Sequence, residues 1–127
     1  MIAKAKFYES KIVKNQIAYW KFLKGSTLET FMDAFEQFHK MINDPNISLL
    51  LVNVEMDNAW GREIQEIWIK TGDVLDQTNI RKWAVVTKEV AKELTIKHLI
   101  KGAGKVTRNY DHFVGKSESE AIRWLMK

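Results

Sequence analysis

Two carboxylates, Glu55 and Asp57, stand with Asn58 and Trp60 just past the most apolar run of the chain, residues 49–54. Acids spaced like this could work as a general acid and base on one substrate. At a turn from strand to helix, however, the same acids serve as caps, favoured by the positive end of the helix dipole. Trp60 beside Gly61 has two readings as well, a ligand contact or an aromatic staple for the helix start. The three histidines, His39, His98 and His112, form neither an HxxxH nor an HExxH pair, so satisfied or solvent-facing histidines are expected instead of a metal site. Gly102-Ala103-Gly104-Lys105 has the composition of a phosphate loop without its GxxxxGK[ST] spacing, and it follows a helical stretch, so it reads as a helix stop. No GxSxG nucleophile elbow and no GxGxxG dinucleotide loop is present. With no cysteine there is no disulfide, thiolate nucleophile or thiolate metal site, and no cofactor is expected.

The four other tryptophans fall on elements: Trp20 and Trp83 in predicted strands, Trp68 and Trp124 on helix stripes, where core packing is the expected role. Charge is uneven along the chain. Residues 1–27 carry six lysines against one acid, residues 28–80 three basic against ten acidic side chains, and residues 81–127 eleven against five. Such a pattern could give a dipolar surface that steers a charged partner, or simply solubilise helix faces once the segments mix in space. A pI near 9.3 permits nucleic acid, but the aromatics sit on apolar stripes and no RNA-binding signature appears, so nucleic acid is not an expected partner.

The elements that must position these residues follow from periodicity. A length of 127 residues predicts one domain. Residues 5–13 and 17–23 read as strands joined at Lys14-Asn15-Gln16, close enough for an antiparallel hairpin. After Gly25, Ser26-Thr27-Leu28-Glu29 forms a capping box for a helix over 27–43, with Leu28, Phe31, Met32, Phe35, Phe38 and Ile42 as its apolar stripe. Asp44-Pro45-Asn46 ends it. Residues 47–56 then read as the central strand, since a nearly unbroken apolar run implies cover on both faces. A second helix carries Trp60, Ile64, Ile67, Trp68, Thr71 and Leu75. Residues 81–87 give a further strand, 88–101 a helix, 105–113 a last strand, and Ser117-Glu118-Ser119-Glu120 caps a final helix through Leu125. The order β-β-α-β-α-β-α-β-α calls for an α/β domain with a mixed, mainly parallel sheet.

That order resembles the STAS superfamily, the fold of anti-sigma-factor antagonists, and especially its SpoIIAA-like branch. The residues that carry the resemblance are Gly25-Ser26-Thr27, the apolar strand 49–54, the run from Arg81 to Val86, and the ending Phe113…Ser117-Glu118-Ser119-Glu120-Ala121-Ile122-Arg123-Trp124-Leu125. It implies a non-catalytic domain working by protein–protein contact. Regulatory members carry a phosphorylated Ser or Thr where the second helix begins. Here Glu55-Met56-Asp57-Asn58-Ala59-Trp60-Gly61-Arg62-Glu63 holds neither, so the phospho-switch is not carried over.

The expectation is therefore a STAS-like interaction module with an unidentified protein partner. The alternative is a module for an apolar small molecule or a lipid, because some members of the branch resemble lipid carriers. A packed core favours the first reading, and an apolar pocket opening near Trp60 favours the second. Any partner is expected where the turns after strands two, three and four gather, at Lys24, Glu55, Asp57, Asn58, Trp60, Thr87 and Lys88. The sequence leaves room for a homo-oligomer. No apolar run is long enough to span a bilayer, and residues 1–6 lack a signal-peptide core, which predicts a cytoplasmic, non-transmembrane protein.

Overall fold

The computed structural model describes residues 8–23, 28–55, 62–88, 96 and 110–127. Five strands and three helices alternate in the described chain: β1 (Tyr8–Val13), β2 (Ile17–Phe22), α1 (Leu28–Ile42), β3 (Leu49–Val54), α2 (Arg62–Leu75), β4 (Lys82–Val86), β5 (Asp111–Gly115) and α3 (Glu118–Leu125). The strands lie side by side in chain order. β1 pairs antiparallel with β2, and every later neighbour is parallel. The protein is thus an α/β domain with a mixed five-stranded sheet.

The β1–β2 turn explains its own antiparallel pairing. Lys14 and Asn15 both take left-handed backbone, with φ of 54° and 63°, and Gln16 N–H closes on the Val13 carbonyl at 3.2 Å. Two left-handed central residues give the turn a twist that matches the strands it joins. The parallel strands need crossovers instead. α1 ends where Asp44 folds the chain back: its carboxylate accepts from Asn46 N–H at 2.9 Å, and its carbonyl accepts from Ile47 N–H at 3.1 Å.

β3 is buried at all six positions, which is what its nearly unbroken apolar run requires. Alternate side chains serve two different layers. Leu50, Val52 and Val54 join Ala18, Trp20, Phe22, Trp83 and Val85 under α1 and α2. Leu49 and Leu51 join Ile17, Tyr19, Ala84 and Val86 under α3. The first layer is strongly aromatic. Trp68 of α2 stacks on Trp83 with centroids 5.6 Å apart, Tyr110 meets Trp83 edge-on at 5.9 Å, and Trp20 stacks on Phe38 of α1 at 5.6 Å. Ala84 and Val86, like Leu50, Val52 and Val54, are buried as an inner strand predicts.

Two expectations need correction. Met32 is 48 % exposed, so the buried stripe of α1 runs through Ala34, Phe38 and Ile42; Met32 lies off the side that meets the sheet. The last strand is described over Asp111–Gly115 and so runs past the expected end at Phe113, because its parallel register sets Phe113 beside Ala84 and Val114 beside Val85; residues 105–109 of the expected strand lie outside the described residues. The cap at Ser26, residues 1–7 and most of the helix expected over 88–101 fall outside the described residues; Ile96, described there, is helical and fully buried. Among the described residues no helix is long and apolar enough to cross a membrane.

Candidate functional site

One row of residues crosses the sheet near the carboxyl ends of the parallel strands. Glu9 pairs with Lys21, Lys21 with Asn53, Asn53 with Val86, and Val86 with Gly115. On the α3 side Lys21, Asn53 and Val86 of this row floor a cleft of about 680 Å³, walled by Glu55 and Lys88 beyond the strand ends and by Lys116, Ser117 and Glu118 at the start of α3.

α3 reaches the cleft rim because its first turn is locally encoded. Ser117, in extended backbone at φ −136° and ψ 151°, accepts from Glu120 N–H at 3.2 Å as N-cap. Glu118 and Glu120 in the first turn and Arg123 in the last suit the helix dipole. Gly115 lets the turn come close. A Cβ there would meet a Glu120 carboxylate oxygen at 2.7 Å and the Phe113 ring at 2.7 Å. That ring is held in place by stacking on Trp124 at 5.3 Å.

Glu118 then ties the helix to two strands. One of its oxygens accepts from the Tyr19 hydroxyl of β2 at 2.5 Å and also from the Asn53 side-chain amide of β3. Burial acts to raise the Glu118 carboxyl, but the Tyr19 and Asn53 bonds, with Lys21 and Lys11 nearby, outweigh it and hold the group below its ordinary pKa. Burial, reinforced by the bond to Glu118, pushes the Tyr19 phenol well above its ordinary range. The phenol therefore remains a donor and the carboxylate remains charged near neutrality. A general acid or base is most effective when its pKa lies near the working pH, and these two are driven away from it. Their arrangement serves as an anchor.

Around the anchor the charges are mixed. Lys21 pairs with Glu55 at 3.3 Å, and the Lys11 ammonium lies 5.0 Å from the centre of the Tyr19 ring. Lys88 and Lys116 are exposed, leaving the rim with an accessible positive side. At its other end α3 is held by Lys82, whose ammonium donates to the Trp124 carbonyl at 3.2 Å and sits 5.1 Å from the centre of that indole.

Of the residues expected at the site, Glu55 and Lys88 line the cleft. Thr87 does not: it is 1 % exposed, and its N–H continues the ladder by donating to the Gly115 carbonyl at 3.0 Å. Lys24, Asp57, Asn58 and Trp60 lie outside the described residues. Lys21, Asn53, Lys116, Ser117 and Glu118 also line the cleft and are not among the residues expected from the sequence. Asn53 left a signal, as the lone polar residue within an apolar strand. Glu118 left a weaker one, because an acid beside an N-cap is already explained by the helix dipole.

The apolar layer offers far less space. The cavity between Phe22, Phe35, Phe38, Trp68 and Trp83 holds about 10 Å³, on the order of a single water. His39, at the edge of this layer, has its pKa lowered by burial and then by Lys70, and it lies 4.2 Å from Phe35, ring centre to ring centre. No cluster of potential metal ligands occurs among the described residues. Comparison with family models, with curated proteins and with solved structures gives no match to this chain.

Proposed function

We propose that this chain is a non-catalytic, STAS-like domain of the SpoIIAA-like branch, lacking the phospho-switch, which binds a protein partner at the cleft beside α3. The contrast between two cavities among the described residues supports the reading; the surroundings of Trp60 lie outside those residues. A site for an apolar small molecule or lipid ordinarily needs roughly 300–1,000 Å³ of largely apolar space, and the aromatic layer holds about 10 Å³. The larger of these two spaces, about 680 Å³, is floored by Lys21 and Asn53 and rimmed by charge. The mixed, mainly parallel sheet with its antiparallel first hairpin is the α/β class that the reading requires.

Charge indicates which part of a partner enters. Glu55 is engaged by Lys21, and Glu118 by Tyr19 and Asn53. Lys88 and Lys116 are exposed on the rim, so an acidic segment of the partner suits the cleft. Native mass spectrometry of the protein purified from its own host tests this. The expected result is a protein companion in fixed stoichiometry, lost in a Lys88→Glu/Lys116→Glu variant. It should be retained in a Lys40→Glu/Lys70→Glu control, whose changes lie on α1 and α2. A co-purified lipid, or a companion indifferent to the cleft variant, contradicts the reading.

A further inference from the structure

Among the described residues β1 is an edge strand of the sheet, open on both faces at its centre. Residues 9–12 are all exposed, and successive side chains of a strand point to opposite sides. Its outer rim offers main-chain donors and acceptors to any extended partner. A lysine on such a strand ordinarily discourages pairing, and Lys11 alone would do so. Glu9, however, lies two residues away on the same face, the pair standing beside Lys21 and Tyr19 of β2.

The spacing is self-complementary. If two copies of β1 meet antiparallel about a two-fold axis through Ser10, Glu9 of each stands directly opposite Lys11 of the other. Opposite charges so placed attract, and the symmetry makes the contact twice. The small Ser10 side chains meet at the axis. On the other face Ile12, 47 % exposed in the single chain, gains cover from the second copy. Other registers lose this match. An axis through Glu9 sets acid against acid, and one through Lys11 sets lysine against lysine. An axis between positions 9 and 10 or between 10 and 11 leaves both charges facing uncharged neighbours. The Lys11 ammonium lies 5.0 Å from the centre of the Tyr19 ring, on the face that Glu9 shares.

We infer that the chain self-associates through β1, two edge strands pairing antiparallel about Ser10 and joining two five-stranded sheets into one. None of the β1 residues lines the partner cleft, and the test does not depend on that reading. A six-residue strand buries far less than the roughly 1,600 Å² of a standard interface, so the dimer is weak and shows itself at high protein concentration.

Sedimentation equilibrium from about 10 µM to 1 mM decides the matter, on the wild type, on Glu9→Lys, on Lys11→Glu and on an equimolar mixture of the two variants. The wild type should approach dimer mass across this range. Each single variant opposes like charges twice and should raise the dissociation constant at least tenfold. In the mixture, the chain with lysine at both positions meets the chain with an acid at both, and dimer mass should return. That recovery cannot come from a misfolded variant, and unchanged far-UV circular dichroism checks the fold directly. A wild type that stays monomeric, single variants that associate as the wild type does, or a mixture that stays monomeric overturns the inference.

Discussion

On the face that carries Trp20, Leu50 and Trp83, helices of 15 and 14 residues close over a stacked aromatic layer. On the other face an eight-residue helix covers Leu49, Leu51, Ala84 and Val86 with Ala121 and Leu125. The first face is closed by area. Its rings interleave, and little in it depends on a particular polar contact. The second has too short a helix for that, and it is fixed at points: Glu118 on Tyr19 and Asn53, Gly115 under the first turn, Lys82 at the far end. Apolar area tolerates small shifts, whereas a carboxylate shared between two strands defines a position. The cleft therefore inherits its shape from the less extensive but better defined face.

The contrast predicts unequal responses to truncation. Trp83→Ala removes a fully buried indole stacked on Trp68 and should cost about 3–5 kcal/mol. Leu51→Ala on the α3 side should cost about 2–4 kcal/mol. Urea denaturation of both variants measures the difference, and a larger loss for Leu51→Ala would reverse the ranking of the faces.

Glu118→Ala strips the anchor while leaving the Tyr19 hydroxyl and Asn53 amide in place, at a cost of about 1–3 kcal/mol. Its pH dependence sharpens the test. The folded-state pKa of Glu118 lies below its ordinary value, so its contribution is present above the ordinary carboxyl range and is lost as pH falls through the folded value. Tyr19 behaves oppositely: with its pKa raised, its contribution is intact below about pH 10 and fades as pH rises further. Denaturation midpoints followed from pH 3 to 7 should drop less steeply for Glu118→Ala than for the wild type; parallel curves would show that the carboxylate is not the anchor.

Gly115→Ala tests the close approach alone. Crowding against Glu120 and the stacked Phe113 ring should cost about 1–2 kcal/mol, with the added mobility confined to residues 115–120. Amide exchange locates it, and protection lost across β3 instead would mean that the turn and the sheet are one unit.

Much of the first face is legible in the sequence. The nearly unbroken apolar run of β3 announces cover on both sides, and the Phe38–Ile42 and Trp68–Thr71–Leu75 spacings announce helices. Met32 misleads because its spacing fits a helix stripe, while the side of α1 that meets the sheet runs through Ala34. The second face is harder to read. Ser117 declares its cap locally, but Glu118 bonds Tyr19 across 99 residues of chain, and no local pattern reports such a contact. The row Lys21–Asn53–Val86 exists only once register is set between strands distant in sequence. Asn53 alone hinted at it, as a polar break whose partner could not be named. Glu55 and Lys88 could be placed at the cleft from topology, since both follow parallel strands at their carboxyl ends. Thr87, equally placed in sequence, turns inward one residue earlier.

On the proposed function, the working surface of the protein is the polar cleft at the carboxyl ends of the strands, and the aromatic layer is structural. Amide chemical shifts recorded while the companion protein is titrated in test it most directly. The largest changes should fall on Asn53, Glu55, Lys88 and residues 116–118, with Trp68 and Trp83 nearly still. Changes confined to the opposite ends of the strands, at residues 44–46 and 77–79, would contradict it.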